Sequence, residues 1–167
     1  IRLELVGMLP AGITAKDLIL HLIGKIGIAG APYMAVEYTG EAIQAFTLAS
    51  RIVLANMAAE MGAKAGLVDP TGLELWYDWQ PTYPDDDATY TIEHTIDVSD
   101  LKPQIALPGL PSNVHDIDVA LGTKVQQAFI GSCTNARLED LQLAAKILDG
   151  KQVAKGVRMM IYPASRK

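Results

Sequence analysis

Val125-Gln126-Gln127-Ala128-Phe129-Ile130-Gly131-Ser132-Cys133-Thr134-Asn135 is the stretch of this chain whose reading decides the fold. Val125 to Ile130 has the composition of a short buried strand. From Arg137 to Asp149, Leu138, Leu141, Ala144, Ala145 and Leu148 recur at the spacing of one helix face, and Val157 to Ile161 reads as a second strand. A strand, helix, strand order favours parallel pairing through a right-handed crossover, so the pattern predicts an α/β fold. The only cysteine, Cys133, lies between the first strand and the helix, and Thr134 or Asn135 can cap that helix. A sulfur at such a junction faces unpaired backbone N–H groups and the positive end of the helix dipole. Both favour the thiolate, which attacks electrophiles and binds metals.

Working outward, the preceding segments repeat the alternation of strand and helix. Arg2 to Val6 alternates like an edge strand, and Gly7 to Gly12 reads as a loop. Thr14 and Asp17 resemble a capping box before a helix striped by Leu18, Ile19, Leu22 and Ile23, which Gly24 can end. Tyr33 to Tyr38 reads as a strand, Glu41 to Met61 as one long helix stopped by Gly62, and Ala65 to Val68 as a short strand. From Pro70 to Ala88 the periodicity gives way to prolines, both tryptophans and Asp85-Asp86-Asp87, which marks a long connection or insertion. The aspartate run lacks the alternating ligands and glycine of a calcium loop and reads as a solvated turn. Thr91 to Val98 resembles a strand, followed by an apolar stretch at Ile105 to Leu107 and a loop from Pro108 to Pro111.

Composition narrows the function. The chain has 167 residues, half of them apolar, enough to bury a core. A net charge of −5 with no basic run argues against nucleic acid as a partner. No apolar run reaches the length of a membrane span, and a single cysteine excludes an internal disulfide, in keeping with the cytoplasm. The chain opens on Ile1 and stops at Lys167 just past a strand pattern, so it reads as a piece of something longer.

Two constellations carry possible chemistry. Leu48, Ile52, Asn56 and Glu60 fall on one helical stripe, where two polar groups continue an apolar row. They read either as a helix end emerging into solvent or as an amide and a carboxylate set to hold a polar ligand and move a proton. Cys133 reads as a buried structural thiol, as a nucleophile served by His94 or His115, or as a metal ligand whose companions this chain lacks. His21 reads as a packing residue. The glycines from Gly24 to Gly30 lack the spacing of a phosphate loop.

Ile130-Gly131-Ser132-Cys133-Thr134-Asn135, with Leu138-Glu139-Asp140, resembles the first iron–sulfur signature of the aconitase superfamily. Glu37-Tyr38-Thr39-Gly40, Asn56-Met57-Ala58-Ala59-Glu60-Met61-Gly62-Ala63-Lys64-Ala65-Gly66 and Gly12 to Leu20 are similar to its branch of 3-isopropylmalate dehydratase and homoaconitase large subunits. The resemblance is weakest between Thr71 and Thr89. It implies an aconitase-like three-layer α/β/α architecture. Residues 1–110 would form the second domain, with an acidic, aromatic insertion near 70–90, and residues 111–167 would open the third. It further implies a hydro-lyase that isomerises 2- and 3-isopropylmalate by dehydration and rehydration at a 4Fe-4S cluster, in leucine biosynthesis. The alternatives are a homoaconitate or related hydratase, or a non-catalytic scaffold module of the same fold.

By that resemblance Cys133 is a cluster ligand, and Asn56 lies beside the cluster. Glu60 contacts the hydroxyl or water of a small hydroxy-acid substrate, and Asn135 supports the cluster geometry. The family's other two cysteines would lie beyond Lys167, and its catalytic serine on a separate swivelling domain or small subunit. Residues 1–167 alone are therefore expected to be inactive and cluster-free, with Cys133 exposed and an unpaired strand edge or apolar patch able to drive homodimerisation.

Overall fold

A computed structural model describes residues 1–165 and divides them into two compact units, Ile1–Val119 and Ala120–Lys167, the last two residues lying outside the description. The first unit is built on a four-stranded, all-parallel sheet. Its strands are β1 (Arg2–Val6), β2 (Ala35–Thr39), β3 (Ala65–Val68) and β4 (Glu93–Asp97), arranged in the order β3-β2-β1-β4. Helix α1 (Ala15–Ile26) crosses from β1 to β2. Helices α2 (Glu41–Gln44) and α3 (Leu48–Met57), with a 3₁₀ turn at Ala58–Met61, cross from β2 to β3. Successive right-handed crossovers that step in one direction place their helices on one face of the sheet, and α1 packs against α3. Leu3, Leu5, Val36, Tyr38 and Ile96 point into that layer and are buried beneath Leu18, Leu22, Ile23, Val53 and Leu54.

The alternate residues line the opposite face, where register sets Glu37, Arg2 and Glu93 in one row. Arg2 pairs with Glu93 at 3.0 Å and stacks over Tyr90, whose hydroxyl donates to Glu37 at 2.6 Å. A parallel sheet is usually covered by apolar layers on both faces. In this unit the charged row leaves one face wet. The α/β class agrees with the sequence reading; of the expected three layers, the described residues of this unit form two, a sheet and the helices on one of its faces.

Two boundaries differ from that reading, each for a local reason. Thr14 and Asp17 do form the capping box, but α1 runs through Gly24 and ends at Gly27, which adopts φ +83 and donates to Ile23 O at 2.9 Å. Gly24 serves close packing instead: a Cβ there would stand 3.0 Å from that of Val114. The single helix expected over Glu41 to Met61 is broken. Thr47 turns extended (φ −64, ψ 165), and its hydroxyl accepts the Ser50 N–H at 3.1 Å, capping a new helix. Apolar spacing continues across the break, so periodicity alone merges the two. Gly62, at φ +85, closes the 3₁₀ turn.

Between β3 and β4, residues 69–92 carry no helix or strand. After β4 the chain makes an antiparallel hairpin, β5 (Gln104–Ala106) and β6 (Val114–Asp116), which packs on α1. Asp17 joins hairpin to helix, its Oδ1 accepting the Gln104 N–H at 2.9 Å. The hairpin therefore belongs to the first unit, which ends at Val119.

The second unit is strand β7 (Gln127–Ile130), helix α4 (Leu138–Leu148) and strand β8 (Arg158–Ile161), with β7 and β8 parallel. This is the expected strand, helix, strand order. No residue of α4 is buried, and Phe129, Leu138, Leu143, Ile147 and Ile161 are exposed.

Candidate functional site

Asn56 lies in the last turn of α3 and Glu60 in the 3₁₀ turn that continues it, and both are exposed. The stripe they were expected to interrupt is the outward one. Leu48 is exposed and Ile52 half-buried, while Arg51, Val53, Leu54 and Met57 form the buried face. Tightening from 3.6 to 3.0 residues per turn after Met57 also rotates Glu60 off the Asn56 row. The turn is held firmly. Gly62 N–H donates to Ala59 O at 2.9 Å, and Ala31 N–H donates to Met61 O at 3.0 Å. Lys16 Nζ lies 3.1 Å from Met57 Sδ on the same helix end.

Residues 61–64 lead into β3 and residues 31–34 into β2, so Glu60 sits at the amino ends of the parallel strands. The carboxyl ends of β2 and β3 hold a separate cavity of about 290 Å³, lined by Glu37, Thr39, Asp69, Thr71 and Tyr83 among others. None of the predicted site residues lines it.

Cys133 is exposed in the loop between β7 and α4. Two residues of that loop adopt left-handed backbone, Ser132 at φ +94 and Ala136 at φ +61. The Ser132 hydroxyl accepts the Thr134 N–H at 3.3 Å and lies 3.0 Å from Thr134 Oγ1, while Arg137 Nη2 donates to the Cys133 carbonyl at 3.4 Å. Asn135 turns its Oδ1 back onto the Ala136 N–H at 2.5 Å. Neither Thr134 nor Asn135 caps α4. The cap position is Arg137, and Asp140 Oδ2 accepts its N–H at 3.0 Å. Cys133 is thus set back from the first turn of the helix, where a dipole acts, and the loop backbone presents its sulfur. Non-glycine residues at positive φ cost of order 1–3 kcal/mol and gather where function holds them.

A profile of the aconitase family (aconitate hydratase) matches residues 1–77 and 71–167. The chain belongs to the aconitase family. It is 47% identical over 173 residues to 3-isopropylmalate dehydratase large subunit 1 of Methanopyrus kandleri, covering 99% of this chain and 41% of that protein. It is 48% identical to the probable methanogen homoaconitase large subunit of Methanosarcina mazei, covering 99% of this chain and 44% of that one. The homoaconitase large subunit of Thermus thermophilus is 46% identical over 95% of this chain and 39% of its own length. The chain spans about two fifths of the length of these relatives.

Of the residues singled out from the sequence, Asn56 and Glu60 lie in the first unit and Cys133 and Asn135 in the second. His115, weighed as a base for Cys133, engages Asn113 Oδ1 through Nε2 at 2.9 Å. The donor set bears on the cluster that the family implies. One exposed thiol on a strained loop fits a single corner of an iron–sulfur cube. Among the described residues no group of three or more His, Cys, Asp or Glu could hold a metal.

The sequence reading missed Arg51, which is 2% exposed. It donates from Nε to Phe46 O at 3.1 Å, from Nη2 to Gln44 O at 3.2 Å and Thr71 O at 2.8 Å, and from Nη1 to Asp69 O. Its signal was present: Arg51, Leu54, Ala58 and Met61 share the buried side of the helix and turn, and Arg51 is the one charge among them. Tyr33 and Lys64, also passed over, pack together, the Lys64 ammonium 4.2 Å from the Tyr33 ring centroid.

Proposed function

We propose that this chain is part of the large subunit of a hydro-lyase that interconverts 2- and 3-isopropylmalate by dehydration and rehydration, in leucine biosynthesis. A small subunit bearing the swivelling domain completes the enzyme, and the site takes a 4Fe-4S cluster. Cys133 contributes one thiolate to that cluster, and ligands outside this chain contribute the rest. When bound, such a cluster supplies a Lewis acid for the hydroxyl that leaves and returns. Asn56 orients polar groups beside the cluster, Glu60 holds the proton exchanged at the substrate hydroxyl, and Asn135 stiffens the loop that presents Cys133. The chain by itself binds no cluster, because a single thiolate cannot hold a cube.

The observation that supports this reading is identity of 44–48% across nearly the whole chain to large subunits bearing these names, the Cys133 loop included in the alignment. The names also support a second substrate. The Methanosarcina mazei relative is called a probable homoaconitase and is as similar as the Methanopyrus kandleri dehydratase, so homoaconitate is the rival. The deciding experiment is anaerobic iron and sulfide reconstitution of the full-length large subunit with its small subunit, assayed on isopropylmalate and on homoaconitate. A visible absorbance band with faster turnover of isopropylmalate supports the proposal. Faster turnover of homoaconitate transfers it to the rival, and a full-length protein that assembles no cluster overturns both.

A further inference from the structure

Tyr33 is held at φ +60, a conformation that a bulky side chain adopts only when its surroundings impose it. Burial does not repay it, for the side chain is 83% exposed. What imposes it is a ladder of main-chain hydrogen bonds. Ala31 N–H donates to Met61 O at 3.0 Å, Tyr33 N–H to Gly62 O at 3.2 Å, and Lys64 N–H to Met34 O at 2.8 Å. These bonds staple residues 31–34 to the turn that follows Glu60. They bring the Tyr33 ring under the Lys64 ammonium, 4.2 Å from Nζ to the centroid.

Lys64 is exposed, and among the described residues no carboxylate pairs with it. A cation steadied by a ring on one side still has N–H donors open to a ligand. It stands at the amino ends of β2 and β3, four residues after Glu60 and just beyond the 3₁₀ turn that carries it.

We propose that Lys64, oriented by Tyr33, binds one carboxylate of a hydroxy-dicarboxylate substrate beside Glu60. The inference rests on the hydro-lyase reading above and adds a positioning group to it. Tyr33 acts through Lys64, while Lys64 itself touches substrate.

The test uses the reconstituted complex of full-length large and small subunits carrying Lys64→Met, Lys64→Arg or Tyr33→Gly. A charge-assisted hydrogen bond to a carboxylate predicts that Lys64→Met raises KM about tenfold or more. The value of kcat should stay within about twofold, since an interaction made equally in ground and transition states is lost. Lys64→Arg restores most of the affinity. Tyr33→Gly, which removes both ring and strain, raises KM by a smaller factor. Calorimetric binding of malonate, a plain dicarboxylate, gives a readout independent of turnover and weakens in Lys64→Met by a factor similar to that in KM.

An unchanged KM and unchanged malonate affinity in Lys64→Met overturn the assignment and leave the pair a surface contact. Should the wild-type complex turn over neither isopropylmalate nor homoaconitate, the hydro-lyase reading falls, and malonate binding then decides Lys64 alone: equal affinity in wild type and Lys64→Met overturns its role. The side chain is exposed and the melting temperature is expected to be unchanged, so a folding defect would not mimic the result.

Discussion

Arg51 donates to the main-chain carbonyl of Asp69, while the Asp69 carboxylate accepts the Thr71 N–H at 2.8 Å. The buried guanidinium is a clasp on backbone, fastening the turn after α2 to the loop after β3 through four carbonyls. Its planar fork is what allows several acceptors to be met at once. Replacing it with Met would strand those carbonyls in a dry site, at a cost of about 3 kcal/mol or more. Lysine, with one compact ammonium, recovers only part of this. Urea unfolding of wild type, Arg51→Met and Arg51→Lys checks the order. Equal midpoints for Met and wild type would remove the clasp.

Tyr38 presents the opposite situation. Its ring lies fully buried beneath the helices, and its hydroxyl finds no hydrogen-bond partner among the described residues. Burial pushes its ionisation far above the ordinary tyrosine range, so the group stays neutral. An unpaired buried hydroxyl costs free energy that phenylalanine avoids without changing the shape of the ring. Tyr38→Phe is expected to leave stability unchanged or raise it by about 1 kcal/mol. A loss of more than that in thermal unfolding would mean that the hydroxyl has a partner.

His21 gives unit 1 a pH dependence. Burial first, and then the charge of Lys25, lower its pKa below the ordinary 6.5, against an opposing pull from Asp116. A histidine depressed in the folded state binds its proton more readily in the unfolded chain. Between the folded value and 6.5 the unfolded state therefore holds more protons, and stability falls as pH falls through that window. Denaturant midpoints between about pH 5 and 8 should decline on the acid side in wild type and decline less in His21→Gln. Identical profiles would show that His21 contributes nothing to the slope.

Much of this was legible in the sequence because periodicity and capping are local. The alternation of Leu3 and Leu5 with Arg2 and Glu4, the Thr14 and Asp17 box, and the β7, α4, β8 order are each set by neighbours within a few residues. The break at Thr47 was hidden because apolar spacing runs through it. The burial of Arg51 depends on carbonyls from Gln44 to Thr71, which no local pattern joins. Asn56 and Glu60 were found by interruption of a stripe, but the stripe faces outward. Their selection therefore owes more to resemblance than to periodicity. Tyr33 carried no sequence signal, since a left-handed φ is imposed by the strand and turn on either side.

Gly66 couples the fold to the candidate site. It lies in β3 where α3 crosses closest, and a Cβ there would fall 2.8 Å from both the Cα and the carbonyl oxygen of Ala55. Those are backbone atoms with no rotamer to yield, so Gly66→Ala must push helix and strand apart. Overpacking of this kind costs typically about 1–3 kcal/mol. Ala55 immediately precedes Asn56, and the displaced helix end carries the Glu60 turn with it. The variant should therefore lose stability in urea. In the full-length reconstituted complex it should also lose turnover beyond what its folded fraction explains, because misplacement of about 1 Å is enough to cost orders of magnitude in rate. A variant as stable as wild type would deny the close approach. One that is destabilised but fully active when folded would separate the α3–β3 contact from the placement of Asn56 and Glu60.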